Sequence, residues 1–326
     1  MPNEGDEMLT NDVLPLIHEA AKRIYSVARE TPLVPLPRDP RLPNAGTAYA
    51  KLEQMQTTGS FKLRGATNKL MSLNEQQASA GVITSSTGNH GLGVAAAAKV
   101  LSIDAEVFLS PQVTQAKQDK ILKQGARVRI IGDSPLDAEI AARKIAGESG
   151  RTYVSPYNDP YVVAGQGTVA VELLRQLPDL DAIFIATGGG GLISGVGTLL
   201  RHLAPRAEVI GCWPENSAVL HECLKAGRII EAPELPTLSE STAGGVEAGS
   251  ITFDLCREVM HHAVLVTEDE ILSAMRWGHT QGWAMEGASG VALAAYFKEA
   301  ARYADRKAVV LLCGGNPSPA IRDLLS

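Results

Sequence analysis

Asp181-Ala182-Ile183-Phe184-Ile185-Ala186-Thr187-Gly188-Gly189-Gly190-Gly191-Leu192 is the stretch that decides the fold. Asp181 to Ala186 reads as an apolar strand buried on both faces, the pattern of a parallel sheet covered by helices. A helix follows, from Leu192 to about Leu203. Four successive glycines between strand and helix let backbone N–H groups converge on one anion, with the helix dipole behind them. A tight turn alone needs one or two glycines. No lysine follows at P-loop spacing, so the pattern suits a phosphate monoester and not a nucleoside triphosphate.

The same strand–turn–helix rhythm extends to both sides. Before it come strands at Val82 to Thr84, Ala105 to Leu109, Val128 to Ile131 and Thr152 to Ser155. Helices alternate with them over Leu92 to Val100, Thr114 to Gln124, Ser134 to Gly147 and Val163 to Leu177. After it come a strand at Glu208 to Cys212 and a loop over Glu231 to Gly249. Then follow a capping box at Thr267 to Glu270 opening a helix, a helix from Gly287 and a last strand at Ala308 to Leu312. Such alternation predicts parallel sheets with crossover helices, an α/β class. Nearer the N-terminus, a helix is predicted from about Asp12 with Pro15 early in it. Thr31 to Pro43, with five prolines, predicts an extended arm, and Ala48 to Leu52 a short strand.

Composition narrows the function classes. The 326 residues are 45% hydrophobic and 20% charged, which is a globular balance. A net charge of −6 with no compensating basic face argues against nucleic acid. No apolar run reaches the roughly 18 residues of a membrane span. The four cysteines stand far apart with no CxxC spacing, so neither a disulfide scaffold nor a zinc site is expected, and a cytoplasmic location fits.

Four further stretches can carry chemistry. In Thr57-Thr58-Gly59-Ser60-Phe61-Lys62-Leu63-Arg64-Gly65-Ala66, Lys62 lies between Phe61 and Leu63, whereas Arg64 and Lys69 are free to reach solvent. A lysine in an apolar pocket deprotonates more easily, as a Schiff-base nucleophile requires. Ser85-Ser86-Thr87-Gly88-Asn89-His90-Gly91 joins a strand to a helix and offers hydroxyls and free N–H groups to a carboxylate. Leu312-Cys313-Gly314-Gly315-Asn316 ends the last strand, where ligands of open α/β sheets collect. Ser241-Thr242-Ala243-Gly244-Gly245 offers a glycine pair to a flat group. Gly91-Leu92-Gly93-Val94-Ala95-Ala96 matches a dinucleotide fingerprint. The acidic residue about 20 positions further on is missing, so no nicotinamide or flavin site is expected.

Lysine, phosphate cup and strand-end ring partner together describe a pyridoxal phosphate site. From Thr31 to Asn316 the chain resembles the fold-type II pyridoxal-phosphate enzymes, in particular the threonine/serine dehydratase and serine racemase group. The resemblance implies two open twisted parallel-sheet domains, as in the tryptophan synthase β chain, with the active site between them. Residues 1–80 and 159–326 would form the large cofactor-binding domain, and residues 81–158 a small inserted domain. It implies that Lys62 binds the cofactor covalently, with Phe61 near the ring and Asn89 on the ring hydroxyl. Gly188, Gly189, Gly190, Gly191 and Leu192 would hold the phosphate, Gly245 would flank the ring, and Cys313 would face the pyridine nitrogen. Ser86, Thr87, Asn89 and His90 would bind the substrate, with Thr87 also catalytic at its second face.

A neutral thiol keeps the ring nitrogen unprotonated, which favours β-elimination over transamination. The implied activity is that of a dehydratase, an ammonia-lyase turning a β-hydroxy amino acid such as L-threonine or L-serine into a 2-oxo acid and ammonia, in a homodimer. Thr87 stands where the group's racemases place serine, which weighs against racemisation. Trp213 and Val219 stand where a divalent-cation site would need ligands, and Gly244 replaces a loop aspartate, so no metal is expected. These departures resemble the branch linked to hydroxyectoine utilisation, the alternative role; amino-acid racemisation is the alternative reaction.

Overall fold

The computed structural model describes residues 4–39 and 46–325, so the arm's prolines at 40 and 43 lie outside the described residues. Ten strands form two sheets: β1 (Leu33–Pro35), β2 (Thr47–Leu52), β3 (Val82–Ser85), β4 (Ala105–Leu109), β5 (Arg127–Ile130), β6 (Thr152–Tyr153), β7 (Ala182–Ala186), β8 (Glu208–Pro214), β9 (His262–Val266) and β10 (Lys307–Leu312). The six-stranded sheet runs β1-β2-β10-β7-β8-β9 and the four-stranded sheet β5-β4-β3-β6. Every pairing is parallel except that of β1 with β2. The α/β class with parallel sheets, legible in the strand–helix alternation, is the class observed.

β7 sits inside the larger sheet between β10 and β8, and all five of its residues are buried. Its apolar run is therefore the signature of a strand covered on both faces. The main core gathers Ile183, Phe184 and Ile185 with Leu192, Val196 and Leu199 of the following helix and with Val291 and Leu293 of helix Gly287–Glu299. Phe184 meets Tyr296 and Tyr303 edge-on at 5.5 and 5.3 Å.

Helix Lys62–Met71 is placed by close approaches of backbone. A Cβ on Gly165 would lie 2.6 Å from the Cα of Gly65, and one on Gly93 would lie 3.2 Å from the carbonyl carbon of Lys62. Helices Pro160–Gln176 and Asn89–Leu101 thus abut it as only glycine permits. That contact is the use of Gly93 in the false dinucleotide fingerprint. Leu63, Ala66 and Leu70 join Val94, Ala98 and Val107 in a second apolar cluster beside the four-stranded sheet.

Arg64 departs from the solvated position expected for it. It is fully buried, with its guanidinium paired to Glu53 at 2.7 Å and Glu172 at 2.5 Å. Lys51 completes the group, 2.6 Å from Glu172 and equally buried. The helix is wedged too tightly for Arg64 to reach water, and two carboxylates meet its charge instead. Lys69 likewise keeps only 14% side-chain exposure and pairs with Asp159 at 2.6 Å.

The first helix begins at Glu4, earlier than Asp12, and carries Pro15 inside it. Val13, Ile17 and Ala20 are buried along it, so tertiary packing holds the turn that proline weakens. The capping box at Thr267 is present, with Thr267 and Glu270 each accepting from the other's backbone N–H. Strand β9 and helices Val219–Ala226 and Ile251–Val259 form where no periodic signal was read. Among the described residues, no helix is long and apolar enough to cross a membrane.

Candidate active site

One cavity opens at the carboxyl ends of β7 and β10. Its walls include Phe61, Lys62, Asn89, Gly188 to Leu192, Glu286 and Cys313. Stretches far apart in sequence are stitched together there. Phe61 N–H donates to the Cys313 carbonyl at 3.0 Å, and Gly315 N–H donates to the Gly59 carbonyl at 2.9 Å. The lysine turn is therefore zipped to the end of β10, and Lys62 opens its helix beside Cys313.

Lys62 is partly exposed as a residue, but its amine is enclosed by protein. Nζ donates to the Pro156 carbonyl at 2.8 Å and lies 5.2 Å from the Phe61 ring centroid. Desolvation lowers its pKa to about 8, against smaller opposing pulls from Cys313 and Glu286. Cys313 is 2% exposed, and burial pushes its thiol well above the ordinary range. Ser289 Oγ lies 3.9 Å from its sulfur. Cys313 is thus a neutral thiol at physiological pH.

The glycine turn carries bare backbone because nothing else fits. A Cβ on Gly188 would meet the Thr242 backbone at 2.9 Å, and one on Gly189 would meet the Tyr157 ring at 2.5 Å. Gly190 has φ 86°, which disfavours any side chain. Helix Gly191–Leu203 begins there, so its first-turn N–H groups face the turn without helical partners.

Asn89 opens helix Asn89–Leu101 and bonds Glu286 through Nδ2 at 2.9 and 2.8 Å. Ser86 and Thr87 are half-buried on the same turn but do not line the cavity, and Ser86 Oγ caps Gly88 N–H at 3.2 Å. His90 points elsewhere: it is 3% exposed, with Nε2 against the Val154 carbonyl at 3.0 Å. Burial drives its pKa down to about 3, so it is a neutral ring. Gly245 is exposed, outside the cavity wall, and Thr242 is the member of that loop packed on the glycine turn.

Glu286, Tyr157 and Ser289 escaped the sequence reading. Glu286 sits in Trp283-Ala284-Met285-Glu286-Gly287, where nothing but its place before a helix sets it apart. Tyr157 follows a short strand in a stretch of turn residues, with no partner visible in sequence.

An enclosed, easily deprotonated lysine, a backbone anion cup and a neutral thiol in one cavity are the parts of a site for an aldehyde-bearing phosphate cofactor. The chain belongs to the family described as pyridoxal-phosphate dependent enzyme, whose model matches residues 24–314. It is similar to the L-threonine ammonia-lyase of Thermotoga maritima, 36% identical over 83% of this chain and 67% of that protein. It is also similar to the catabolic L-threonine dehydratase of Staphylococcus aureus, 34% identical over 92% of this chain and 88% of that one. Among solved structures, the processed threonine deaminase isoform 2 of Solanum lycopersicum superposes with a TM-score of 0.90 at 31% identity, covering 97% of this chain and 93% of that one. Maize serine racemase superposes with a TM-score of 0.87 at 28% identity, each chain covered over 94%. The cofactor is pyridoxal 5′-phosphate, and the bare glycine turn and enclosed amine fit it.

Proposed function

We propose that this enzyme is a pyridoxal-phosphate-dependent dehydratase, an ammonia-lyase that removes water and then ammonia from a β-hydroxy amino acid of the L-threonine or L-serine type. The enclosure of Lys62 beside the glycine turn and Cys313 carries this reading, and relatives named for threonine deamination support it.

When bound, the cofactor supplies an aldehyde for covalent capture of an amine and a ring that withdraws electrons from the α-carbon. Lys62 Nζ would provide the amine that holds the aldehyde and, when free, the base placed to take the α-proton. The N–H groups from Gly188 to Leu192 would hold the phosphate, with Phe61 beside the ring. Ser86, Thr87, Asn89 and His90 belong to the turn that would receive the substrate, its carboxylate held by backbone N–H groups. Cys313, a neutral thiol, would offer the ring nitrogen no negative charge to hold a proton there. The α-proton and the β-hydroxyl leave together as water. One water then returns as ammonia departs, giving the 2-oxo acid.

Racemisation is the second reading, favoured by the likeness to maize serine racemase. Thr87 weighs against it, because its extra methyl crowds the hydroxyl that would serve the second face. Trp213 supports a role in hydroxyectoine utilisation as the alternative physiological setting. It is 1% exposed, with its ring centroid 5.5 Å from that of His221, and an indole cannot ligate a cation. A homodimer in the cytoplasm, and a division into residues 1–80 with 159–326 and residues 81–158, complete the proposal.

The test is release of 2-oxo acid and ammonia across a panel of β-hydroxy amino acids. L-threonine or L-serine should yield both in equal amounts. Formation of the D-isomer without ammonia would favour the racemase.

A further inference from the structure

We propose that Glu286 is a positioning residue that, together with Asn316, locks the Asn89 side-chain amide in one orientation on the cavity wall. The inference rests on the reading of that cavity as the pyridoxal phosphate site.

The orientation is set from both ends. Asn316 Nδ2 donates to the Thr58 carbonyl and to Asn89 Oδ1, both at 2.8 Å. A backbone carbonyl only accepts, so the Asn316 nitrogen must face it, and Asn89 must present its oxygen to the second hydrogen. At the other end a carboxylate only accepts, so Asn89 must present its nitrogen to Glu286. The two bonds to Oε1 and Oε2, 2.9 and 2.8 Å, meet that demand. Neither end tolerates the flipped amide.

Glu286 is built for this and for little else. It is 6% exposed, and its other donors are neutral: Ser241 Oγ at 2.8 Å and Asn316 N–H at 3.3 Å. No cation bonds it. It stands at the N-cap of helix Gly287–Glu299, where the helix dipole favours a negative charge. Gly314 makes room for the carboxylate, since a Cβ there would lie 2.6 Å from its Cδ. The chain of bonds also joins the two sheets. Asn89 follows β3, whereas Glu286 and Asn316 belong to elements flanking β10. An amide fixed this way keeps the unshared Asn89 hydrogen-bonding capacity pointed one way before any ligand arrives, which is preorganisation.

The test titrates cofactor-free wild type, Glu286→Gln and Asn316→Asp with pyridoxal phosphate. It follows visible absorbance, the visible circular dichroism of the bound cofactor and the thermal unfolding of each cofactor-free protein. Asn316→Asp places an acceptor against Asn89 Oδ1 and should weaken binding by about tenfold or more, the scale of one hydrogen bond to a charged group. It should also change the circular dichroism band. Glu286→Gln keeps one acceptor oxygen and should show a smaller loss in the same direction. Wild-type affinity and an unchanged band in both variants would overturn the inference. So would a loss that merely tracks the unfolded fraction. Wild-type protein that takes up no cofactor would overturn the site reading and this inference with it, a result distinct from uptake by wild type and variants alike.

Discussion

Lys62 Nζ donates to the Pro156 carbonyl at 2.8 Å, so a backbone acceptor holds the amine, and among the described residues no carboxylate bonds it. A carboxylate there would keep the amine protonated, whereas a carbonyl leaves desolvation in control. The pKa of about 8 follows. Only the neutral amine attacks an aldehyde. At pH 7 about one such lysine in ten is neutral, against about one in 2,500 for a solvated lysine. The rate of pyridoxal phosphate capture by cofactor-free protein should therefore climb as pH rises through about 8 and level off above it. Stopped-flow absorbance reads this directly, and a rate still climbing towards pH 10 would contradict it.

The buried ions beneath the lysine helix should dominate its stability. Arg64→Met strands Glu53 and Glu172 without their main cation. Breaking such a pair from one side costs about 3–5 kcal/mol. Urea unfolding of the cofactor-free variant should show a loss of that size with an unchanged denaturant slope. A loss below about 1 kcal/mol would mean that water reaches the group.

Gly188→Ala sets a methyl against the Thr242 backbone, 2.9 Å from its Cα, where nothing flexible yields. The turn must shift and its N–H groups lose their convergence. Affinity for pyridoxal phosphate should fall at least about tenfold, equal to about 1.4 kcal/mol. Equilibrium dialysis against the free cofactor measures it, and undiminished affinity would place the phosphate elsewhere.

How far the sequence could be read depended on whether a signal was local. The β7 run and its four glycines announce themselves because burial and bare backbone are written in consecutive residues. Lys62 and Cys313 were likewise legible within short motifs, since each ends or begins a periodic element. Glu286 was not, because its meaning lies in Asn89 and Asn316, 197 and 30 residues away along the chain. Arg64 misled for the same reason: a charge in a helix reads as solvated until Glu53 and Glu172 are seen beside it. The packing of Thr242 on the glycine turn was not legible either, because it depends on Gly188, 54 residues earlier in the chain. Strand β9 stayed unread because it is a short edge strand with incomplete burial.

One enclosed amine, that of Lys62, is proposed to form the covalent link to the cofactor. Borohydride reduction of the protein saturated with pyridoxal phosphate, followed by peptide mapping, tests it most directly. The phosphopyridoxyl group should appear on the peptide containing Lys62 and vanish in Lys62→Ala. A saturated protein whose Lys62 peptide stays unmodified, or whose label survives that substitution, would contradict it.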